Sequence, residues 1–390
     1  MKKKICVITG SRSDYGLMQI LINKFHKDKS IDLKIFVTGM HLLPEFGNTY
    51  KEILNDNLKI EKKIKIMNYF DTPTSISKFT GLGISRFASV FKSIRPDLLL
   101  VLGDRYEIIS ATIAASFHQI PIAHIGGGDT TLGAFDEWIR HSITKMSWFH
   151  FVSNPLSKER VIQLGENPKR VFVTGHLGVD RLRNTKLLSK KLIEKKMKFK
   201  FNKKNILITY HPVTLEKNTS ATQFKEILSA VSKLRDTKLI FTYPNSDSFG
   251  RIIIKMIKKF VSSKKYDSVK FSSMGYVNYL SVLKYVDCVL GNSSSSLLEA
   301  PSLKIPSINI GDRQQGRLKA TSVIDSKPTE SLITKSIKKI YSTKFRANLK
   351  YTHNPYEYKD SANKIYKIIK NATIPLELKK FFYNLWKKYQ

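Results

Sequence analysis

Along this chain, short runs of aliphatic and β-branched residues repeatedly end in a polar cluster. GSRSD follows Lys4–Thr9, TGMH closes Leu33–Thr38, GDR follows Leu98–Leu102, and HIGGGD closes Pro121–Ile125. HPVT follows Ile206–Tyr210, YPNSD closes Lys238–Tyr243, GNSSSS follows Asp287–Leu290, and a second GDR follows Pro306–Ile310. Helical patterns separate the runs, as in Ser75–Ser93, Tyr106–His118, Asp136–Met146 and Thr222–Leu234. Strands that alternate with helices demand right-handed crossovers and a parallel sheet covered on both faces. Leu98–Leu102 (LLLVL) has the unbroken apolar character of a strand buried on both sides. The polar clusters therefore fall at the carboxyl ends of strands, where open α/β sheets bind their ligands.

A length of 390 residues exceeds one comfortable core. The strand–helix rhythm pauses at the lysine-dense stretch Lys186–Lys204, read as one helix, and then restarts. The expectation is an α/β protein of GT-B type: two Rossmann-like domains with parallel sheets, residues 1–185 and 186–358, and an interdomain active-site cleft. Two C-terminal helical patterns, Lys359–Ile369 and Leu376–Tyr389, are expected to pack back, as segment 359–390, on the first domain. Asn154, Pro155 and Gly165 carry the cap, first-turn and stop signals of one helix.

The formal net charge of +36 is mostly lysine spread along helical faces, without a helix-turn-helix, zinc or RNA-recognition pattern. It is read as a solvated face that also draws anions toward a cleft; no nucleic-acid partner and no membrane association are expected. Cys6 and Cys288 each sit inside a strand-like run and are read as buried free thiols of a reducing, cytoplasmic compartment. No histidine spacing suggests a metal.

Three carboxylates, Asp104, Asp129 and Asp136, lie within one short stretch at strand or helix ends, a pattern suited to general acid–base work. Helix capping is the competing role for each. Pro212 holds His211 extended at a strand end. GNSSSS opens a helix, so hydroxyls and free N–H groups there suit a diphosphate, although capping by Asn292 or Ser293 needs only one such residue. Glu299 is placed either on a ribose diol or on a helix surface. Arg12 and Arg313 are candidate phosphate cations. TGSRSDYG is neither a GxGxxG nor a Walker loop, which weighs against dinucleotide and ATP sites.

TGSRSDYG, VTGMH with FGNTYKEI, LGDRYE, HIGGGDTTLGAFDEWIRHSITKMS, RVIQLGE, HPVT, YPNSD, GNSSSSLLEAPSLKIPSINIGDRQQGR and SVID together resemble the hydrolysing UDP-N-acetylglucosamine 2-epimerases of sialic acid synthesis. The resemblance implies a homodimer that needs no cofactor or metal and converts UDP-N-acetylglucosamine and water to N-acetylmannosamine and UDP. The route is elimination of UDP to a 2-acetamidoglucal, then hydration with inversion at C2. It implies acid–base roles for Asp104 and Asp136, a place near the leaving phosphate for His211, and nucleotide contacts for Arg12, Asn245, Ser293, Ser294, Glu299 and Arg313. Arg105 and Asn292 belong to the same loops and complete the expected binding set. Relatives of the animal type read HIEGGE where this chain reads HIGGGD, so Gly126 replaces a glutamate and Asp129 stands in for another. That difference leaves room for a bulkier sugar, with UDP-2,4-diacetamido-trideoxyhexose as the alternative substrate; a GT-B glycosyltransferase is the alternative activity.

Overall fold

The strand-like runs become two all-parallel sheets in a computed structural model that describes residues 2–66, 72–132, 134–213, 216, 219–244, 250–375 and 377–385. The first sheet contains β1 (Lys3–Thr9), β2 (Ile31–Thr38), β3 (Ile60–Ile64), β4 (Leu98–Leu102), β5 (Ile122–Ile125), β6 (Phe149–Val152) and β7 (Val171–Val173). Its strand order is β3-β2-β1-β4-β5-β6-β7. The second contains β8 (Lys204–Thr209), β9 (Thr237–Thr242), β10 (Ser268–Phe271), β11 (Cys288–Gly291), β12 (Ser307–Ile310) and β13 (Val323–Ser326). Its order, β10-β9-β8-β11-β12-β13, repeats the doubly wound pattern. In such a sheet the chain turns away on either side of one strand pair, leaving a crevice at that pair's carboxyl ends. The pair is β1/β4 in the first sheet and β8/β11 in the second.

The chain divides into two compact units: Met1–Asp129 with Asp136–Arg181 and Tyr358–Gln390, and Thr130–Phe135 with Leu182–Glu357. Asp129 and Asp136 thus belong to the first unit, while Thr130–Phe135 between them groups with the second.

In the first unit, the helix Arg12–Lys27 and the helix Ser361–Asn371 cover one face of the sheet through Met18, Leu21, Phe25, Ile365 and Ile369. Lys3 donates to the last carbonyls of the later helix, those of Ile369 and Lys370, at 2.9 and 2.8 Å. Cationic capping of a helix C-terminus in this way satisfies orphan acceptors and suits the dipole. The second unit buries Ile206, Ile208, Phe224, Phe241 and Ile308 on one face of its sheet and Leu207, Ile240, Leu280 and Val289 on the other. Cys6 and Cys288 are free and buried in the two sheets.

Local signals position several elements. Asn154 accepts from the Ser157 N–H at 3.0 Å and Pro155 occupies the first turn of the helix Pro155–Gln163. Ser11 caps the helix after β1 in the same way. Two expectations are corrected. The Lys186–Lys204 stretch is helical only over Lys190–Met197, ending at Lys198 with φ +55°. Residues 377–385 of the second C-terminal pattern are not helical. There, Lys380 instead donates to the fully buried carboxylate of Glu166 at 2.7 Å and to the Lys145 and Ser147 carbonyls. The Tyr383 N–H donates to Gly165 O at 2.9 Å. Satisfying a buried carboxylate outweighs the few tenths of a kcal/mol per residue that helix propensity offers. Strand β13 carried too little apolar pattern to be expected; its polar edge is tied in by Asn309 Nδ2 donating to Asp325 at 2.8 Å. No helix among the described residues is long and apolar enough to cross a membrane.

Candidate functional site

The first unit gathers charge at the carboxyl ends of β1, β4 and β5. Asp104 directly follows β4 and its turn glycine Gly103, which has φ +78°. Its carboxylate is ion-paired with Arg140, whose side chain is 1% exposed. Arg140 also donates to the Asp129 carbonyl at 2.8 Å and to Glu137 Oε2 at 3.0 Å. Burial opposes the Arg140 charge, but Asp104, Asp129 and Asp136 outweigh that and hold its pKa above the ordinary arginine value. One buried guanidinium thus brings all three expected carboxylates into a common field. A desolvated cation needs such compensation.

The carboxylates differ in how they are held. Asp129 is buried, and its Oδ1 accepts from Ser153 and Ser157 hydroxyls at 2.8 and 2.6 Å. Gly128 before it has φ +76°, and a Cβ there would lie 2.2 Å from Ser157 O, so only glycine seats Asp129 against this helix start. Asp136 opens the helix Asp136–Met146 and is half-buried. Gly126 has φ +88° with nothing within 4 Å of where its Cβ would stand. His124 is fully buried, with Nε2 2.9 Å from Gly103 O and Nδ1 3.1 Å from Thr144 Oγ1. Burial pushes its pKa down to about 3, so it acts as a neutral brace for the GDR turn. Arg12, at the first turn of the helix after β1, is 2.6 Å from Glu52. Arg105 Nε donates to Glu107 Oε1 at 2.7 Å.

The second unit assembles its groups around Asn292. The His211 N–H donates to Asn292 Oδ1 at 2.7 Å, and Asn292 Nδ2 returns a bond to His211 O at 2.8 Å. The carbonyl of Asn292 accepts from Arg313 Nη1 at 3.2 Å and Gln314 Nε2 at 2.9 Å. The carboxyl-end loops after β8, β11 and β12 are therefore locked together by one side chain and its backbone. Gly291, at φ +139°, permits this approach: a Cβ would stand 1.9 Å from Thr209 O. The helix expected after GNSSSS is a single turn, Ser295–Leu298, followed by the 3-10 turn Ala300–Leu303. So short a helix has little macrodipole, which leaves the hydroxyls and N–H groups of Ser293 and Ser294 as the local donors. Ser293 O is itself an acceptor, from Ser296 Oγ at 2.6 Å.

Glu299 is buried, not on a helix surface, and its Oε2 has no hydrogen-bond partner among the described residues. Burial raises its pKa to about 7. An acid whose folded pKa lies above its unfolded value of about 4.3 favours folding at low pH, and that contribution is lost as pH rises through 7. Glu299→Gln is therefore expected to stabilise the protein by roughly 1–3 kcal/mol near pH 8.5 and by little near pH 5. Thermal melts at the two pH values check this; an equal shift at both would contradict it. Asn245 lies outside the described residues. Arg140 was not among the expected site residues; in a helix as charged as Asp136–Met146 an arginine reads as solvated. Among the described residues, no three His, Cys, Asp or Glu side chains approach closely enough to hold a metal ion.

Comparison with known proteins gives the arrangement a lineage. Residues 23–370 match the family model described as UDP-N-acetylglucosamine 2-epimerase. The chain is 40% identical over 385 residues to the GDP/UDP-N,N'-diacetylbacillosamine 2-epimerase (hydrolyzing) of Campylobacter jejuni, covering 98% of this chain and 100% of that protein. It is 39% identical to the polysialic acid biosynthesis protein P7 of Escherichia coli, covering 95% and 94% respectively. In fold it is similar to the UDP-GlcNAc 2-epimerase of Neisseria meningitidis solved with UDP-GlcNAc, with TM-score 0.80, 22% identity, and coverage of 94% of this chain and 100% of that one. With two doubly wound parallel sheets of GT-B type and a family match spanning most of its length, the chain belongs to the UDP-N-acetylglucosamine 2-epimerase family.

Proposed function

We propose that the protein is a hydrolysing 2-epimerase that converts UDP-N-acetylglucosamine and water to N-acetylmannosamine and UDP, for nonulosonic acid synthesis. The observation that carries this reading is the set of three carboxylates held around one buried Arg140 beyond the carboxyl ends of β4 and β5. In the first step the C2–H bond breaks and its electron pair forms the C1=C2 bond. The C1–O bond breaks at the same time, and its pair leaves on the β-phosphate oxygen of UDP. Asp104 or Asp136 takes the C2 proton and later releases it to solvent; the other, in its protonated form, gives its proton to the opposite face of C2 and recovers one from the water whose oxygen adds at C1. The ion pair with Arg140 fixes the Asp104 carboxylate in place, the orientation that proton transfer requires. Arg12 and Arg105 of the first unit, and His211, Asn292, Ser293, Ser294, Glu299 and Arg313 of the second, are assigned to the nucleotide and its departing charge; such preorganised donors are worth most where charge develops. Asn245 is assigned to the nucleotide from sequence alone. Asp129, with one oxygen tied to two serines, is assigned to orienting Arg140 and assisting the proton transfers.

A second reading differs only in the sugar. The open space at Gly126, together with relatives named for N,N'-diacetylbacillosamine, supports a substrate that carries a second acetamido group. One experiment separates these outcomes: incubation in D2O with UDP-N-acetylglucosamine or with the UDP-linked 2,4-diacetamido sugar. The expected products are UDP and a free 2-epimerised sugar carrying deuterium at C2, read by mass spectrometry and NMR. The faster substrate identifies the sugar. Release of unlabelled sugar from both would overturn the elimination route, and transfer to an added acceptor would identify a glycosyltransferase.

A further inference from the structure

The helix Asp136–Met146 is where the acid–base groups of the first unit converge. It opens on Asp136 and carries Arg140, the partner of Asp104 and of the Asp129 carbonyl. One turn on, Thr144 Oγ1 is 3.1 Å from His124 Nδ1, and His124 Nε2 is 2.9 Å from Gly103 O in the GDR turn. A Cβ at Gly127 would stand 2.8 Å from Thr144 Oγ1, so the helix also lies hard against the HIGGGD loop. Moving this helix moves Asp136, Arg140 and the support of Asp104 together.

The other end of the helix is held by a segment from the end of the chain. The last carbonyls of a helix find no donor within it. Here the Lys380 ammonium donates to Lys145 O at 2.5 Å and to Ser147 O at 2.8 Å, and it is 2.7 Å from Glu166 Oε2. A cation at that place also suits the helix dipole. The next residues fasten the segment to the turn at Gly165. The Tyr383 N–H donates to Gly165 O at 2.9 Å, and a Cβ on Gly165 would come within 2.4 Å of the Phe382 ring. Lys145 Nζ lies 4.5 Å from the centre of that ring.

Two features set this contact apart from ordinary packing. Phe381, Phe382 and Leu385 remain exposed, so the segment buries little apolar surface and is held mainly by its polar contacts. Glu166 has partners besides Lys380: its Oε1 is 3.1 Å from Lys145 Nζ and its Oε2 is 3.0 Å from His150 Nε2. What Lys380 adds is a grip on the end of the helix.

We propose that Lys380 is a positioning residue for the acid–base site: the C-terminal segment is a strap that sets where Asp136 and Arg140 stand, needed for turnover and not for nucleotide binding. This rests on the assignment of Asp104 and Asp136 to the proton transfers made above. A helix moves as a body, so a shift allowed at its last turn is felt at its first. Proton transfer depends steeply on such distances, whereas contacts to the nucleotide come from other loops.

The test is steady-state kinetics of Lys380→Met and Lys380→Arg with UDP-N-acetylglucosamine and with the UDP-linked 2,4-diacetamido sugar, alongside UDP calorimetry. Lys380→Met is expected to lower kcat by about 10–100-fold, the scale of a misplacement of about 1 Å. Its KM and UDP affinity should stay within about twofold of the natural protein. Lys380→Arg keeps donors at the helix end and should recover most of kcat. If Lys380→Met does not fold, Phe382→Ala, which loosens the segment and leaves Lys380 in place, gives the same loss confined to kcat. An unchanged kcat, or a fall in UDP affinity that matches the fall in kcat, overturns the proposal and leaves the hydrolysing reading standing. If the natural protein turns over neither UDP-sugar, that reading falls and the proposal with it.

Discussion

Asp104→Asn is expected to lower kcat by about 10²–10⁴-fold with UDP binding retained, and Asp136→Asn by a similar factor. The reason is positional. Asp104 follows a strand whose first four residues are buried and is paired with a guanidinium that is 1% exposed, so its orientation is set before substrate arrives. An amide in its place still accepts a hydrogen bond from Arg140 but takes no proton. If the two carboxylates work on opposite faces of C2, the Asp104 and Asp136 variants should differ in one respect. Loss of the group that starts the elimination abolishes deuterium wash-in to unreacted substrate. Loss of the group that completes hydration leaves a 2-acetamidoglucal intermediate trapped with UDP. Single-turnover analysis in D2O distinguishes the two. Near-normal turnover in either variant would remove that residue from the acid–base pair.

Arg140→Met is expected to destabilise the first unit by about 3–5 kcal/mol and to abolish activity. Methionine fills much of the volume but leaves Asp104, the Asp129 carbonyl and Glu137 without their shared donor. Removing one partner of a buried charge cluster is costly because the other charges stay behind. Arg140→Lys restores a charge but not the forked geometry. It should recover part of the stability, measured by denaturant unfolding, and little of the activity. Unchanged stability in the Met variant would mean that the carboxylates are held by other contacts.

The parallel sheets were legible because the apolar runs were unbroken and their turn residues well marked. Leu98–Leu102 and Cys288–Gly291 admit no other placement than a buried central strand. The expected helices failed where charge was the only pattern. In Lys186–Lys204 the lysines carry no helical period, so one short helix forms around the buried Ile193, and Lys204 already opens β8. The C-terminal pattern failed for a different reason. Its periodicity was adequate, but Lys380 had a buried carboxylate available at Glu166, a contact far away in sequence.

The candidate site divides in the same way. Asp104, Asp136, His211, Asn292 and Arg313 could be singled out because each stands directly after a strand or at a helix start, and strand ends mark the ligand side of an α/β sheet. The role of Arg140 could not, since within a helix a charged residue reads as a surface residue until its burial is known. The reciprocal bonds of His211 with Asn292 link loops 81 residues apart. Sequence by itself determined the class of fold, the alternation of strands and helices, and the loops that carry chemistry, because these follow from local periodicity and turn chemistry. Only the tertiary structure decided which charges are buried together, how Asp104, Asp129 and Asp136 share one guanidinium, and that Arg105 pairs with the buried Glu107. Such pairings depend on desolvation and on distances across the sheet, and neither is written in the spacing of residues along the chain.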